Sequence, residues 1–88
     1  MDRQELANLL RTKVYGDLKA VYFDLDDFID YHYGVMYEPA HTFIDSYFNG
    51  DGEPEFLVRN PLGFKRIKNY DEAYDYFQGS IIDYLQSQ

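Results

Sequence analysis

The chain has 88 residues, with 16 acidic and 8 basic side chains and a formal net charge of −8. This length suits one small domain with a single core and excludes two lobes around a deep catalytic cleft. The negative charge disfavours direct binding to nucleic acid or to an anionic membrane, and the absence of Cys excludes disulfides and thiolate zinc sites. We therefore expect a single small acidic domain over residues 1–88, located in the cytoplasm.

The first predicted element is an N-terminal helix. Asp2 and Glu5 form a capping pair, in which each side chain bonds to the backbone of the other residue. Apolar residues follow at helical spacing, namely Leu6, Leu9, Leu10 and Val14. We expect the helix to end near Lys13, because Gly16 favours a break.

A second helix is predicted from Asp17 to about residue 33, with Gly34 as its stop. Apolar positions recur there at steps of three and four: Leu18, Val21, Tyr22, Leu25, Phe28, Ile29, Tyr33 and Met36. On this interpretation Asp24, Asp27 and Asp30 lie about one turn apart on the outward side. The helix would therefore display a row of carboxylates.

Three antiparallel strands are predicted next. Thr42–Phe48 is β-branched and aromatic, and the turn residues 49–52 separate it from a second strand at about Glu55–Arg59. The Asn-Pro-Leu-Gly turn at 60–63 leads to a third strand, Phe64–Lys68. These strands form a meander.

The last predicted element is a C-terminal helix. Asn69 and Glu72 form its capping pair, apolar residues continue at helical spacing, and Gly79 marks a point where the helix could break. The predicted fold is therefore α+β, with two N-terminal helices, a three-stranded antiparallel meander and a C-terminal helix packed on the sheet.

Charge is strongly segregated along the chain. Residues 21–56 contain nine acidic side chains and no basic one. A field of one sign attracts a basic partner, and carboxylates one helical turn apart can imitate a row of phosphates. The leading hypothesis is a small inhibitor that mimics nucleic acid and binds a basic nucleic-acid-binding enzyme, as anti-restriction or anti-CRISPR proteins of phages do. The predicted contact residues are Phe23, Asp24, Asp27, Asp30, Tyr31, Glu72, Asp75 and Asp83.

A second hypothesis is a general protein-interaction module, such as a toxin-neutralising protein or an assembly subunit. Its contacts would run through exposed aromatic rings, which are frequent at binding hot spots. Aromatic residues make up 19% of the chain. The sequence also leaves self-association open, because the edges of a small sheet are often covered in a homodimer.

The segment Ala20–Asp27, in which one residue separates Asp24 from Asp26, resembles the first motif of the haloacid dehalogenase phosphatases. The resemblance implies that Asp24 would be the nucleophile and Asp26 the general acid, with magnesium shared between them. Phe28 stands where that family has Thr, and the chain is short for the parallel-sheet fold of the family. A magnesium-dependent phosphatase fragment is thus a remote alternative, and we expect no enzymatic activity, no cofactor and no dedicated metal site.

Overall fold

A computed structural model describes residues 2–20 and 24–88, with only the backbone of Lys19. Over these residues the fold is α+β, with two helices and one five-stranded antiparallel sheet in the order β1-β2-β3-β4-β5. The elements in chain order are α1 (Arg3–Lys19), β1 (Phe28–Tyr31), β2 (Gly34–Tyr37), β3 (Thr42–Phe48), β4 (Pro54–Asn60), β5 (Gly63–Ile67) and α2 (Tyr70–Gln86), with single 3-10 turns at Leu25–Asp27 and Glu38–Ala40. None of the described helices is long and apolar enough to cross a bilayer.

Helix α1 begins as predicted and ends later than predicted. The carboxylate of Asp2 accepts a hydrogen bond from the Glu5 backbone at 2.8 Å, and the Glu5 carboxylate accepts one from the Asp2 backbone at 3.3 Å. The expected break at Gly16 is wrong, because the helix continues to Lys19. Its large buried side chains recur every fourth residue and lie on both sides of the glycine: Leu6, Leu10, Val14 and Leu18. Packing of this stripe outweighs the unfavourable helix propensity of one glycine.

Helix α2 also begins at its predicted cap, where the Asn69 side chain accepts a hydrogen bond from the Glu72 backbone at 2.9 Å. It passes through Gly79 without a break and ends at Gln86. The buried side of the helix consists of Ala73, Tyr74, Phe77 and Ile81. The apolar stripe thus continues beyond the glycine.

The predicted second helix is wrong, and with it the predicted fold of two N-terminal helices and a three-stranded meander. Residues 28–37 form the hairpin β1–β2, which extends the three predicted strands to five. The hairpin turns at His32 and Tyr33, and His32 takes a positive φ of 51°. The two central residues of this turn are neither Gly nor Asn, and Gly34, which closes it, was interpreted as the end of a helix. The apolar positions around it fit a helix and a pair of strands equally well.

Both helices cover the same side of the sheet. Helix α1 packs on β2 and β3, and α2 packs on β3, β4 and β5. Alternate strand residues enter this core, including the fully buried Val35, Ile44 and Val58. The intervening residues point to the other side, which no described element covers. We call this side the open face, and its side chains are Ile29, Tyr31, Met36, Phe43, Asp45, Tyr47, Glu55, Leu57, Arg59, Phe64, Arg66 and, just after β5, Lys68.

Candidate protein-binding face

The first row of the open face crosses all five strands. The strand register places these side chains next to one another in the order Ile29, Met36, Phe43, Arg59, Phe64. Four of the five are apolar, and they differ in exposure: Phe64 is 65% and Ile29 39% exposed. An apolar row of this length without a covering layer is a feature of interaction surfaces.

A second row runs parallel to the first and contains Tyr31, Gly34, Asp45, Leu57 and Arg66. Tyr31 is 43% exposed and packs against Phe43, with ring centroids 5.5 Å apart. At the other end of the row the Arg66 guanidinium lies 5.9 Å from the Phe64 ring centroid. A pair of rings thus lies toward the β1 end of the face, and a ring beside a planar cation lies at its β5 end.

The two carboxylates of the open face have opposite environments. Burial raises the pKa of Asp45, although its carboxylate accepts a hydrogen bond from the Ser46 backbone at 3.0 Å. Hydrogen bonds from Asn49 and Tyr47, at 3.0 and 2.5 Å, lower the pKa of Glu55. The ionised form is therefore unfavourable at Asp45 and favourable at Glu55.

The basic residues of the open face lie on its β4–β5 side. Among the described residues, Arg59, Arg66 and Lys68 have no carboxylate within ion-pair distance. The ion pairs of the described residues, Arg11 with Asp30 and Lys13 with Asp71, both lie away from the open face. Three cations of an acidic protein therefore stay available to a partner on this side.

The predicted acidic row does not exist as a row. Asp24 caps the 3-10 turn, where its carboxylate accepts a hydrogen bond from the Asp26 backbone at 3.0 Å. Asp27 ends that turn, and Asp30 lies in β1 on the side facing α1. The carboxylate of Asp30 already has a protein partner, because Arg11 Nε lies 3.4 Å away. Phe23, the predicted apolar anchor, is outside the described residues.

The predicted residues of α2 are all exposed but belong to the other layer of the fold. Glu72 and Asp75 lie in the first half of the helix, and Asp83 lies near its end. Of the predicted contact residues that the structure describes, Tyr31 alone is on the open face. The structure therefore does not bring the predicted residues together on one surface.

Asp83 lines a cleft of about 370 Å³ between the end of α2 and the β4–β5 turn. Several polar groups of this cleft already have partners: the Thr42 hydroxyl donates to the Ala40 carbonyl, and the Ser80 hydroxyl accepts from the Asn60 amide and donates to the Tyr76 carbonyl. The described residues contain no group of three or more His, Asp or Glu side chains placed to hold a metal ion. The cleft therefore offers few free groups for a ligand.

The sequence did not identify most residues of the open face as candidates for binding. Their signal is the period-two alternation of the strands, as in β3, where Phe43, Asp45 and Tyr47 alternate with buried residues. The alternation separates the two faces of a strand, but it does not show which face the helices cover. That depends on both helices packing on one side.

The resemblance to phosphatases receives no structural support. It implies a buried strand of a parallel sheet ending at Asp24, whereas the five strands are all antiparallel and Asp24 precedes a 3-10 turn. Residues 21–23 of the motif lie outside the described ranges. Comparison of the chain with protein-family models, curated proteins and solved structures finds no match.

Proposed function

We propose that the chain is a protein-interaction module that binds through the open face of its sheet. The observation that carries the proposal is the uncovered apolar row, which ends in the exposed side chains of Ile29 and Phe64. Sheets with both sides packed bury such residues, and isolated soluble domains keep contiguous apolar patches small. A partner that covers the row removes this area from water, which favours association.

The hypothesis of nucleic-acid mimicry stays a prediction, but the helical row of carboxylates that motivated it is not present. Its carboxylates were expected at one-turn intervals on a helix, and Asp24, Asp27 and Asp30 instead lie in a turn and a strand. Asp30 is also bound by Arg11 and Tyr15 within the protein. The aromatic alternative therefore has the stronger structural basis.

Site-specific photocrosslinking tests the proposal. A benzophenone amino acid replaces Tyr31 or Phe64 on the open face, or Tyr76 on α2 as a control that is also exposed. After irradiation in the native cells, we expect covalent protein adducts from the first two positions and none from the third. Adducts from Tyr76 alone would contradict the proposal.

The same assay separates the two hypotheses. In the double variant Asp24→Asn and Asp27→Asn, adducts at Phe64 should persist, because these carboxylates are not on the open face. Mimicry predicts the opposite result, since it requires the carboxylates for binding. Loss of the Phe64 adduct in this variant would favour mimicry.

A further inference from the structure

We infer that the partner covering the open face is a second copy of this chain, packed sheet against sheet. The inference rests on the proposed function and names its partner. The charge distribution supports it first. The open face has three basic and two acidic side chains, so it is nearly neutral in a protein of net charge −8. Two copies that meet at this face direct their excess negative charge away from each other.

Charge also selects the symmetry of the pair. A two-fold axis that lies in the plane of the interface and runs across the strands would set the basic β4–β5 sides of both copies against each other. That arrangement is repulsive. An axis parallel to the strands instead sets the β1 side of one copy against the β5 side of the other. Tyr31 of each copy then faces Arg66 of the other, as a cation–π pair, and Ile29 faces Phe64. Asp45, on the central strand, lies near this parallel axis, where it neighbours Asp45 of the other copy, and this one like-charge contact favours a weak rather than a tight dimer.

The size of the face sets the expected strength. Five strands at a spacing of about 4.8 Å make it about 24 Å wide, and its length falls from about 23 Å at the seven-residue strands β3 and β4 to about 13 Å at the four-residue strands β1 and β2. Two copies together would bury about 900 Å², which is in the range of weak, reversible interfaces. We therefore expect a reversible dimer with a Kd on the order of 10 μM.

Analytical ultracentrifugation between about 1 and 500 μM tests the inference. The wild-type protein should change from its chain mass of 10.5 kDa at low concentration to twice that mass at high concentration. Arg66→Glu places a charge of the wrong sign on the open face and should raise the Kd at least about tenfold. Lys65→Glu is the matched control, because the neighbouring Lys65 points to the other side, over the Tyr76 ring. Its Kd should stay within about twofold of wild type.

Several outcomes would overturn the inference. Wild-type protein that stays at 10.5 kDa throughout rules out the dimer. An equal effect of Arg66→Glu and Lys65→Glu would indicate association through the free edge of β5 rather than through the face. The proposed function fails separately, when photocrosslinking at Tyr31 and Phe64 gives no adduct with any protein. An adduct between position 64 and a different protein would support the proposed interaction module and would contradict a second copy as its partner.

Discussion

The hydroxyl of Tyr15 donates a hydrogen bond to the carboxylate of Asp30 at 2.6 Å and thereby joins α1 to β1. Arg11, one turn earlier on the helix, binds the same carboxylate from 3.4 Å. Next to this bond the Tyr15 ring meets Phe28 edge-on, with centroids 6.5 Å apart. An acidic side chain that the sequence suggested for a partner thus helps to hold the edge strand in place.

Tyr15→Phe should lower the free energy of unfolding by about 1 kcal/mol, because it removes the hydrogen bond to Asp30 and keeps the ring. Tyr76→Phe is the matched control, since that exposed hydroxyl makes no hydrogen bond with the described residues and should change stability little. Urea denaturation of both variants measures the difference. Equal stability of the two variants would show that the Tyr15–Asp30 bond contributes nothing.

Gly16→Ala should stabilise the protein by about 1 kcal/mol, because alanine favours the helix and a Cβ at this position meets no atom within 4 Å. Gly34→Ala should have the opposite effect, since a Cβ there would collide with the Ile44 carbonyl. We expect a loss of at least about 2 kcal/mol for this variant. Thermal denaturation measures both. A destabilising Gly16→Ala would argue for a helix that breaks near Lys13 after all.

Alkaline pH should unfold the protein through its buried tyrosines. Burial raises the pKa of Tyr15 and of Tyr74 from 10.0 to about 12, and it raises the pKa of Tyr70 as well. The folded state therefore favours the neutral phenols, and their contribution is complete below the unfolded pKa of 10.0 and is lost as the pH rises to about 12. Urea denaturation at increasing pH should show this loss. A Tyr74→Phe variant should lose less stability over the same pH range, and an unchanged slope would contradict the assignment.

The two carboxylates of the open face should respond to neutralisation with opposite signs. The raised pKa of Asp45 means that its ionised form is unfavourable in the folded state, so Asp45→Asn should stabilise the protein at neutral pH, by less than about 0.5 kcal/mol. This gain should disappear in acid, where Asp45 is protonated. The pKa of Glu55 is lowered, so Glu55→Gln should destabilise the protein at neutral pH. Chemical denaturation at neutral and acid pH measures both variants, and equal signs would refute the argument.

Much of the fold could be predicted because its signals are local. The helix N-caps at Asp2 and Asn69 and the three strands from Thr42 to Ile67 depend on residues a few positions apart. The glycines at 16 and 79 suggested helix breaks that do not occur. In each helix, buried side chains before and after the glycine pack in the same core against residues distant in the chain. Tertiary packing therefore decided the helix lengths.

The candidate site could not be predicted, because it depends on a hairpin whose two central turn residues are neither Gly nor Asn. Reading residues 17–33 as a helix placed Asp24, Asp27 and Asp30 on one outward side, whereas in a strand the neighbours Ile29 and Asp30 point to opposite sides. The same change moved Tyr31 into a row with Leu57 and Arg66 from distant parts of the chain. Such a row forms only through strand register.

Methyl NMR over a concentration series tests most directly whether the open face mediates association. The probes on the open face are Ile29, Met36 and Leu57, and the control methyl groups, exposed on the helices, are Leu9, Ile82 and Leu85. We predict that the first set shifts as the concentration rises and gives intermolecular contacts in a mixed-label sample, while the second set stays unchanged. Shifts confined to the helix probes, or none on the open face, would contradict the account.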